Sequence, residues 1–313
     1  MGRRCLAGVG ATPLAHGLLE PTAVTDLHYT ELGTSGPRVL LMHGLFGQGK
    51  NWTSIAKALA DRARVIMVDL PNHGRSGWTA SVSYEEMAGT IADTLQAELL
   101  GAPADRRDGP RERLTVVGHS MGGKVAMAMA LLRPQLVERL VVADIAPVPY
   151  ARITGFADYV TGMRAIDLRR ISTRGEADLR LQPYVPDPVV RAFLLQNLRR
   201  DTSSPDGWRW QMNLSLLGGR LADLGDWPDL HTPPYKGPVL WIAGGTSDYI
   251  TPEYAPAMRA LFPRTTQFTI KNAGHWVHSE QPEIFVAALQ RFLGLDAEGA
   301  SAVSPVREPS PWS

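Results

Sequence analysis

Residues 114–123 read LTVVGHSMGG, and no other stretch restricts the fold of this chain as much. Apolar β-formers run straight into G-x-S-x-G, here Gly118-His119-Ser120-Met121-Gly122, and a helix-forming run, 124–132, follows. A serine on so short a strand-to-helix connection sits on a strained turn, and the residues two before and two after it must be small to avoid clashing. Gly118 and Gly122 meet that demand. Such a turn places the serine at the carboxyl edge of a parallel sheet, where open α/β sheets bind their ligands.

The rest of the chain supplies that sheet. Short apolar runs at 38–42 (RVLLM), 64–70 (RVIMVDL), 114–117, 140–143 and 239–243 have the uninterrupted pattern of strands buried on both faces, and 27–31 reads as an earlier, more exposed strand. Helices are expected over 51–62, over 84–99 and over 282–293, between or after them. Ser83 with Glu86 forms a capping-box pattern at the start of the second. Alternation of this kind predicts an α/β fold, a mostly parallel central sheet with helices on both faces. It stops after Pro147. From 150 to 234 only helical patterns are legible, with Thr173 and Glu176 as a second capping box and Asp187-Pro188 as a helix start. The expected division is therefore a core of 23–149 and 235–295, and a helical lid inserted at 150–234. Residues 1–22 are expected to be a flexible arm, 101–113 a polar loop, and 296–313, rich in Ser, Pro and Ala, a disordered tail.

Composition narrows the partners. With 32 basic and 31 acidic residues the net charge is +1, which offers no general attraction to nucleic acid or to an anionic membrane surface. No run of eighteen apolar residues occurs, so no membrane span is expected. Cys5 is the single cysteine and cannot form an internal disulfide, which suits a reducing, cytoplasmic setting.

A serine hydroxyl needs a base. His275, in NAGHW between the strand pattern 265–270 and the last helix, combines the right sheet edge with the chain order Ser…His; His278, three residues on, is the alternative. Backbone N–H groups must stabilise an oxyanion. Met121 follows the serine and supplies one, while the turn after Met42, His43-Gly44-Leu45-Phe46-Gly47, supplies the other from Leu45, with Phe46 in reserve. His43 reads as structural, and so does the loop Asp69, Asn72, His73, Gly74, Arg75 and Ser76. The carboxylate that orients the imidazole has two candidates. Asp248, in GTSDYI after the strand 239–243, holds the commoner position; Asp144, in VVADIAPVPY, ends the preceding strand. Candidate substrate contacts are Phe46, His119, Tyr150 and Trp276, although Trp276, like Trp52, reads first as a packing residue. Phe156, Tyr159, Met163, Trp208, Trp210 and Leu216 could line an acyl pocket or form the core of the insertion.

The segments HGLFGQGKNW, VDLPNHGRS, VVGHSMGGKVAMA, VVADIAPVPY, GGTSDYI and NAGHWVHSEQP together resemble the esterase family that includes the bacterial YbfF-type esterases and the human abhydrolase-domain protein 11. The resemblance spans His43 to Pro282. It implies an α/β-hydrolase fold with an α-helical lid and serine-esterase chemistry, and it bears on the acid. In that family the position of Asp248 can be non-acidic while the aspartate of the DI-[SA]-PV segment remains, which favours Asp144, with Asp248 as an alternate partner for the histidine. The long 101–113 loop, both tails and the middle of the lid depart from the family pattern. The expected activity is hydrolysis of small-molecule carboxylic esters or thioesters of short to medium acyl chains through an acyl-enzyme, with no metal and no organic cofactor. Carbon–carbon bond hydrolysis or perhydrolysis on the same triad, or ligand binding without catalysis, are the alternatives.

Overall fold

In this computed structural model the described residues are 26–99, 112–150, 155–203 and 206–295. The expected arm 1–22, tail 296–313 and nearly all of the 101–113 loop lie outside them. In chain order the first elements are β1 (Tyr29–Leu32), β2 (Arg38–Met42), α1 (Thr53–Leu59), β3 (Arg64–Val68), α2 (Tyr84–Glu98), β4 (Leu114–His119), α3 (Met121–Leu132) and β5 (Val137–Ala143). An insertion follows, with α4 (Phe156–Ala165), α5 (Arg174–Leu181), α6 (Pro188–Leu195), β6 (Leu198–Arg200), β7 (Trp208–Trp210), α7 (Leu214–Gly219) and α8 (Leu221–Gly225). The chain ends on β8 (Val239–Gly244), α9 (Ala255–Leu261), β9 (Thr265–Ile270), α10 (Val277–Glu280) and α11 (Pro282–Leu293).

Seven strands form one sheet in the order β1-β3-β2-β4-β5-β8-β9, parallel throughout except for β1, which pairs antiparallel with β3. The side chains of β2, β4 and β8 are buried on both faces, as continuous apolar runs require. Val39, Leu41, Val117, Val141 and Ile242 pack with Trp52, Phe285 and Leu289 beneath α1 and α11. Leu40, Met42, Val116, Leu140, Val142 and Trp241 pack on the opposite face with α2 and α3. Burying a side chain of this size contributes roughly 1.5–3 kcal/mol. Edge strand β9 instead exposes Thr266, Phe268 and Thr269.

The three helix starts marked in the sequence are capped by side chains, with two refinements. Ser83 accepts the Glu86 N–H, but its hydroxyl donates to Glu85 rather than pairing reciprocally with Glu86. Thr173 accepts the Glu176 N–H, and the Glu176 carboxylate reaches back to the N–H of Ser172, one residue earlier than a capping box places it. Asp187 caps α6 by accepting the Val189 N–H, with Pro188 at the first helical position.

The insertion is not all-helical. Strands β6 and β7 pair antiparallel, Leu198 opposite Trp210 and Arg200 opposite Trp208. Strands of three residues carry too few positions for alternation to register in a sequence. Val160, Met163, Leu181, Leu194, Leu198, Trp208 and Met212 of the insertion are buried in the same apolar cluster as one face of the sheet. Polar ties hold it there: Asn197 Nδ2 donates to the Phe46 carbonyl at 2.8 Å, and the Asn213 amide to the Asn72 carbonyl at 2.9 Å. No helix among the described residues is long and apolar enough to cross a membrane.

Candidate active site

Strand register brings the marked loops together. Met42 pairs with Gly118, His119 with Ala143, Ala143 with Ile242, and Gly244 with Ile270. The chain therefore leaves β2, β4, β5, β8 and β9 along one edge, which carries the His43 loop, Ser120, Asp144, the 245–250 loop and His275.

Ser120 sits at φ 53°, ψ −122°, a strained conformation for a residue with a Cβ. Its N–H extends the sheet to the Ala143 carbonyl at 3.0 Å, and its own carbonyl receives the N–H groups of Gly123 and Lys124, which start α3. A Cβ on Gly118 would lie 2.1 Å from the Gly122 carbonyl oxygen, and one on Gly122 only 2.4 Å from the His43 carbonyl oxygen. Backbone faces backbone at both contacts, so neither neighbour can rotate away.

The Ser120 hydroxyl is 2.9 Å from His275 Nε2, and His275 Nδ1 is 2.9 Å from Asp144 Oδ2. Asp144 is fully buried. A carboxylate there accepts Nδ1–H, which leaves Nε2 as the acceptor facing the serine. Asp144 Oδ1 also accepts the Gly244 N–H at 2.9 Å, and Oδ2 accepts the Ser247 hydroxyl. The Tyr249 ring stacks on the imidazole at 3.9 Å between centroids. Asp248 is exposed on the same loop, and the carboxylate that His275 Nδ1 meets is that of Asp144. The loop after β8 contributes Ser247 and Tyr249, two residues that sequence reasoning passed over although they flank Asp248.

Four buried histidines frame this chain of hydrogen bonds. His43 Nδ1 donates to the Gly44 carbonyl and Nε2 accepts the Leu70 N–H. His73 Nδ1 donates to the Pro71 carbonyl and Nε2 accepts the Phe46 N–H. Both are structural pins between the His43 loop and the Asp69–Ser76 loop, where Asp69 accepts the N–H groups of Gly49 and Arg75. His119 Nε2 donates to the His275 carbonyl at 2.8 Å and so anchors the loop that carries the base. His278 stacks on Trp52 at 4.2 Å, away from Ser120's hydrogen bond. Burial, the dominant cause in each case, lowers His43 to about 4, His73 and His278 to about 3, and His119 well below the usual imidazole range.

Two cavities meet at Ser120. One is lined by Gly44, Leu45, His119, Ser120, His275 and Trp276, with Phe156, Tyr159 and Phe193 reaching in from the insertion. The other is lined by Leu45, Ser120, Met121, Tyr150, Phe156 and Leu224 among others. Leu45, Met121, His119, Trp276 and Tyr150 thus all border Ser120's surroundings. Phe46 does not line either cavity: it is fully buried at φ 62°, and its N–H is taken by His73 and its carbonyl by Asn197. This excludes it as the reserve oxyanion donor. Among the aromatic and apolar residues of the insertion, Phe156 and Tyr159 face the site, whereas Met163 and Trp208 are buried in the insertion's own packing.

The sn-1-specific diacylglycerol lipase ABHD11 of Xenopus laevis is 36% identical over 281 residues, covering 87% of this chain and 85% of the relative. Esterase YbfF of Escherichia coli is 32% identical over 255 residues, covering 82% and 92%. The solved structure of a marine microorganism esterase superposes with a TM-score of 0.78 at 33% identity, covering 86% of this chain and 99% of that one. Residues 37–282 match the alpha/beta hydrolase fold family, and on fold, topology and sequence the chain belongs to it.

Proposed function

We propose that the protein is a serine esterase in which Ser120 attacks the acyl carbon, His275 moves the proton and Asp144 holds the imidazole. The observation that carries this is the unbroken hydrogen-bonded series Ser120–His275–Asp144 at the junction of two cavities. His275 Nε2 takes the hydroxyl proton as the acyl-enzyme forms and gives it to the departing alcohol; water then reverses the exchange. Amides of Leu45 and Met121, on the two loops beside Ser120, are the proposed oxyanion donors. Since the leaving oxygen must lie against His275, the cavity lined by His275 and Trp276 takes the alcohol part, and the cavity lined by Met121 and Tyr150 takes the acyl chain. The insertion closes the first as a lid through Phe156, Tyr159 and Phe193, and the second through Phe156, Leu224 and Gly225. The lipase and esterase names of the relatives support an ester substrate.

Burst kinetics with p-nitrophenyl acetate and butyrate test the proposal. We expect wild type to show a burst and turnover, Ser120→Ala neither, Asp144→Asn a loss of roughly 10³–10⁴ in kcat, and Asp248→Asn activity within about threefold of wild type, since an exposed charge away from the imidazole contributes little. Equal losses in the two aspartate variants would overturn the assignment of the acid.

A further inference from the structure

Eleven of the twelve residues of α3 are buried, and one of them is a lysine. Lys124 lies one turn beyond the nucleophile, its N–H bonded to the Ser120 carbonyl, and its side chain has no route to solvent at 1% exposure. Although it also lines a cavity, its ammonium donates to three backbone carbonyls: Val148 at 3.2 Å, Gly225 at 2.8 Å and Asp226 at 2.6 Å. Three acceptors match the three N–H donors of an ammonium. The Tyr150 and Tyr84 rings lie 4.9 and 5.7 Å from the charge, close enough for cation–π attraction. Val148 belongs to the segment entering the insertion, and Gly225 and Asp226 to the end of α8, where the insertion finishes. Those two segments also touch directly, through the Tyr150 N–H on the Gly225 carbonyl.

The same residues border the proposed acyl cavity. Leu45, Ser120, Met121, Lys124, Ile145 and Tyr249 line it from the core, and Tyr150, Phe156, Leu224 and Gly225 from the insertion and the segment entering it. Lys124 is a helical turn, about 6 Å along the axis, from Ser120, and its ammonium meets Gly225. An acetyl group on Ser120 would stay beside the nucleophile, and a longer chain would extend toward Leu224 and Gly225.

We propose that Lys124 is a positioning residue that sets acyl-chain selectivity by clamping both ends of the insertion onto the nucleophile helix. The clamp has a cost, because burial lowers the ammonium to about 7, against which the neighbouring Asp226 charge acts. A leucine or methionine would pack against Tyr84 and Tyr150 without that cost, but would take the donor from the Val148 and Asp226 carbonyls and leave Gly225 only the Tyr150 N–H. The lysine is thus explained by what it holds rather than by what it packs. The inference rests on the esterase proposal.

The test compares wild type, Lys124→Met and Lys124→Gln on p-nitrophenyl acetate, butyrate and octanoate, with labelling of Ser120 by a small dialkyl p-nitrophenyl phosphate as a measure of the nucleophile itself. In Lys124→Met we expect the octanoate-to-acetate ratio of kcat/KM lowered at least about tenfold through KM, with acetate kcat/KM and Ser120 labelling falling less than octanoate kcat/KM. Lys124→Gln, which restores two N–H donors, should fall between, and it carries the comparison if the methionine variant does not fold. An unchanged ratio overturns the clamp. So does a parallel fall in acetate turnover, octanoate turnover and labelling, which would make Lys124 a support of Ser120 alone. Wild type inactive on all three esters would overturn the esterase proposal and the selectivity with it.

Discussion

Asp144 carries more partners than an orienting carboxylate needs. Its Oδ2 serves both His275 and Ser247, and its Oδ1 serves the Gly244 amide. Removing the Ser247 hydroxyl deletes one donor and leaves the carboxylate buried and still bonded to Gly244. We therefore expect Ser247→Ala to lower kcat by roughly three- to tenfold with KM unchanged, a modest outer-shell loss, read by steady-state kinetics; a KM effect alone would contradict it. The choice between Asp144 and Asp248 shows how far single residues could be read from sequence. Both follow a strand, both end at the same sheet edge, and residue type cannot distinguish a carboxylate at 0% exposure from one facing solvent. Ser247 and Tyr249 were less visible still, since a hydroxyl and a ring gain their roles only from the partners that the fold brings opposite them.

At the scale of elements, the strand–turn–helix around Ser120 was fully legible, because steric exclusion acts between residues close in sequence. A consequence is that two glycines should respond in opposite directions. Gly122→Ala forces a Cβ to within 2.4 Å of the His43 carbonyl oxygen, and we expect it to cost about 3 kcal/mol or more, a drop of roughly 6–12 °C in Tm. Gly89, inside α2, would place a Cβ in open space with nothing within 4 Å. Gly89→Ala should stabilise by about 0.5–1 kcal/mol through helix propensity. Thermal melts of the two variants beside wild type check both signs. The β6–β7 hairpin was illegible for the converse reason. Three-residue strands are stabilised by the partner strand and by the burial of Leu198 and Trp208, neither of which a short window contains.

Among the described residues, four buried imidazoles protonate far below their ordinary range. In the unfolded chain the same histidines take up protons near pH 6.5. Between that value and the folded values of about 3 to 4 to which burial lowers His43, His73 and His278, the unfolded state binds more protons. Their contribution to stability is thus complete above about pH 6.5 and is lost on acidification. Four such groups give a slope of up to ~5 kcal/mol per pH unit, large beside a total stability of about 5–15 kcal/mol. We expect Tm to fall steeply below about pH 6, ahead of the carboxylate range. His278→Phe, at a ring that stacks on Trp52 and meets Phe285 edge-on, should flatten that dependence. An acid limb that begins only near pH 4 would contradict it.

The sequence by itself determined the parallel sheet, the strained turn at Ser120 and the elements that carry His275 and both aspartates. These follow from apolar periodicity, glycine spacing and chain order, all of which act over short distances along the chain. Only the tertiary structure decided that Asp144 rather than Asp248 meets the imidazole, that the Phe46 amide is already taken by His73, and that Lys124 meets carbonyls 24, 101 and 102 residues away along the chain. Each of those outcomes depends on which groups become neighbours once strands align and the insertion docks, and a buried polar group is stable only where such partners arrive.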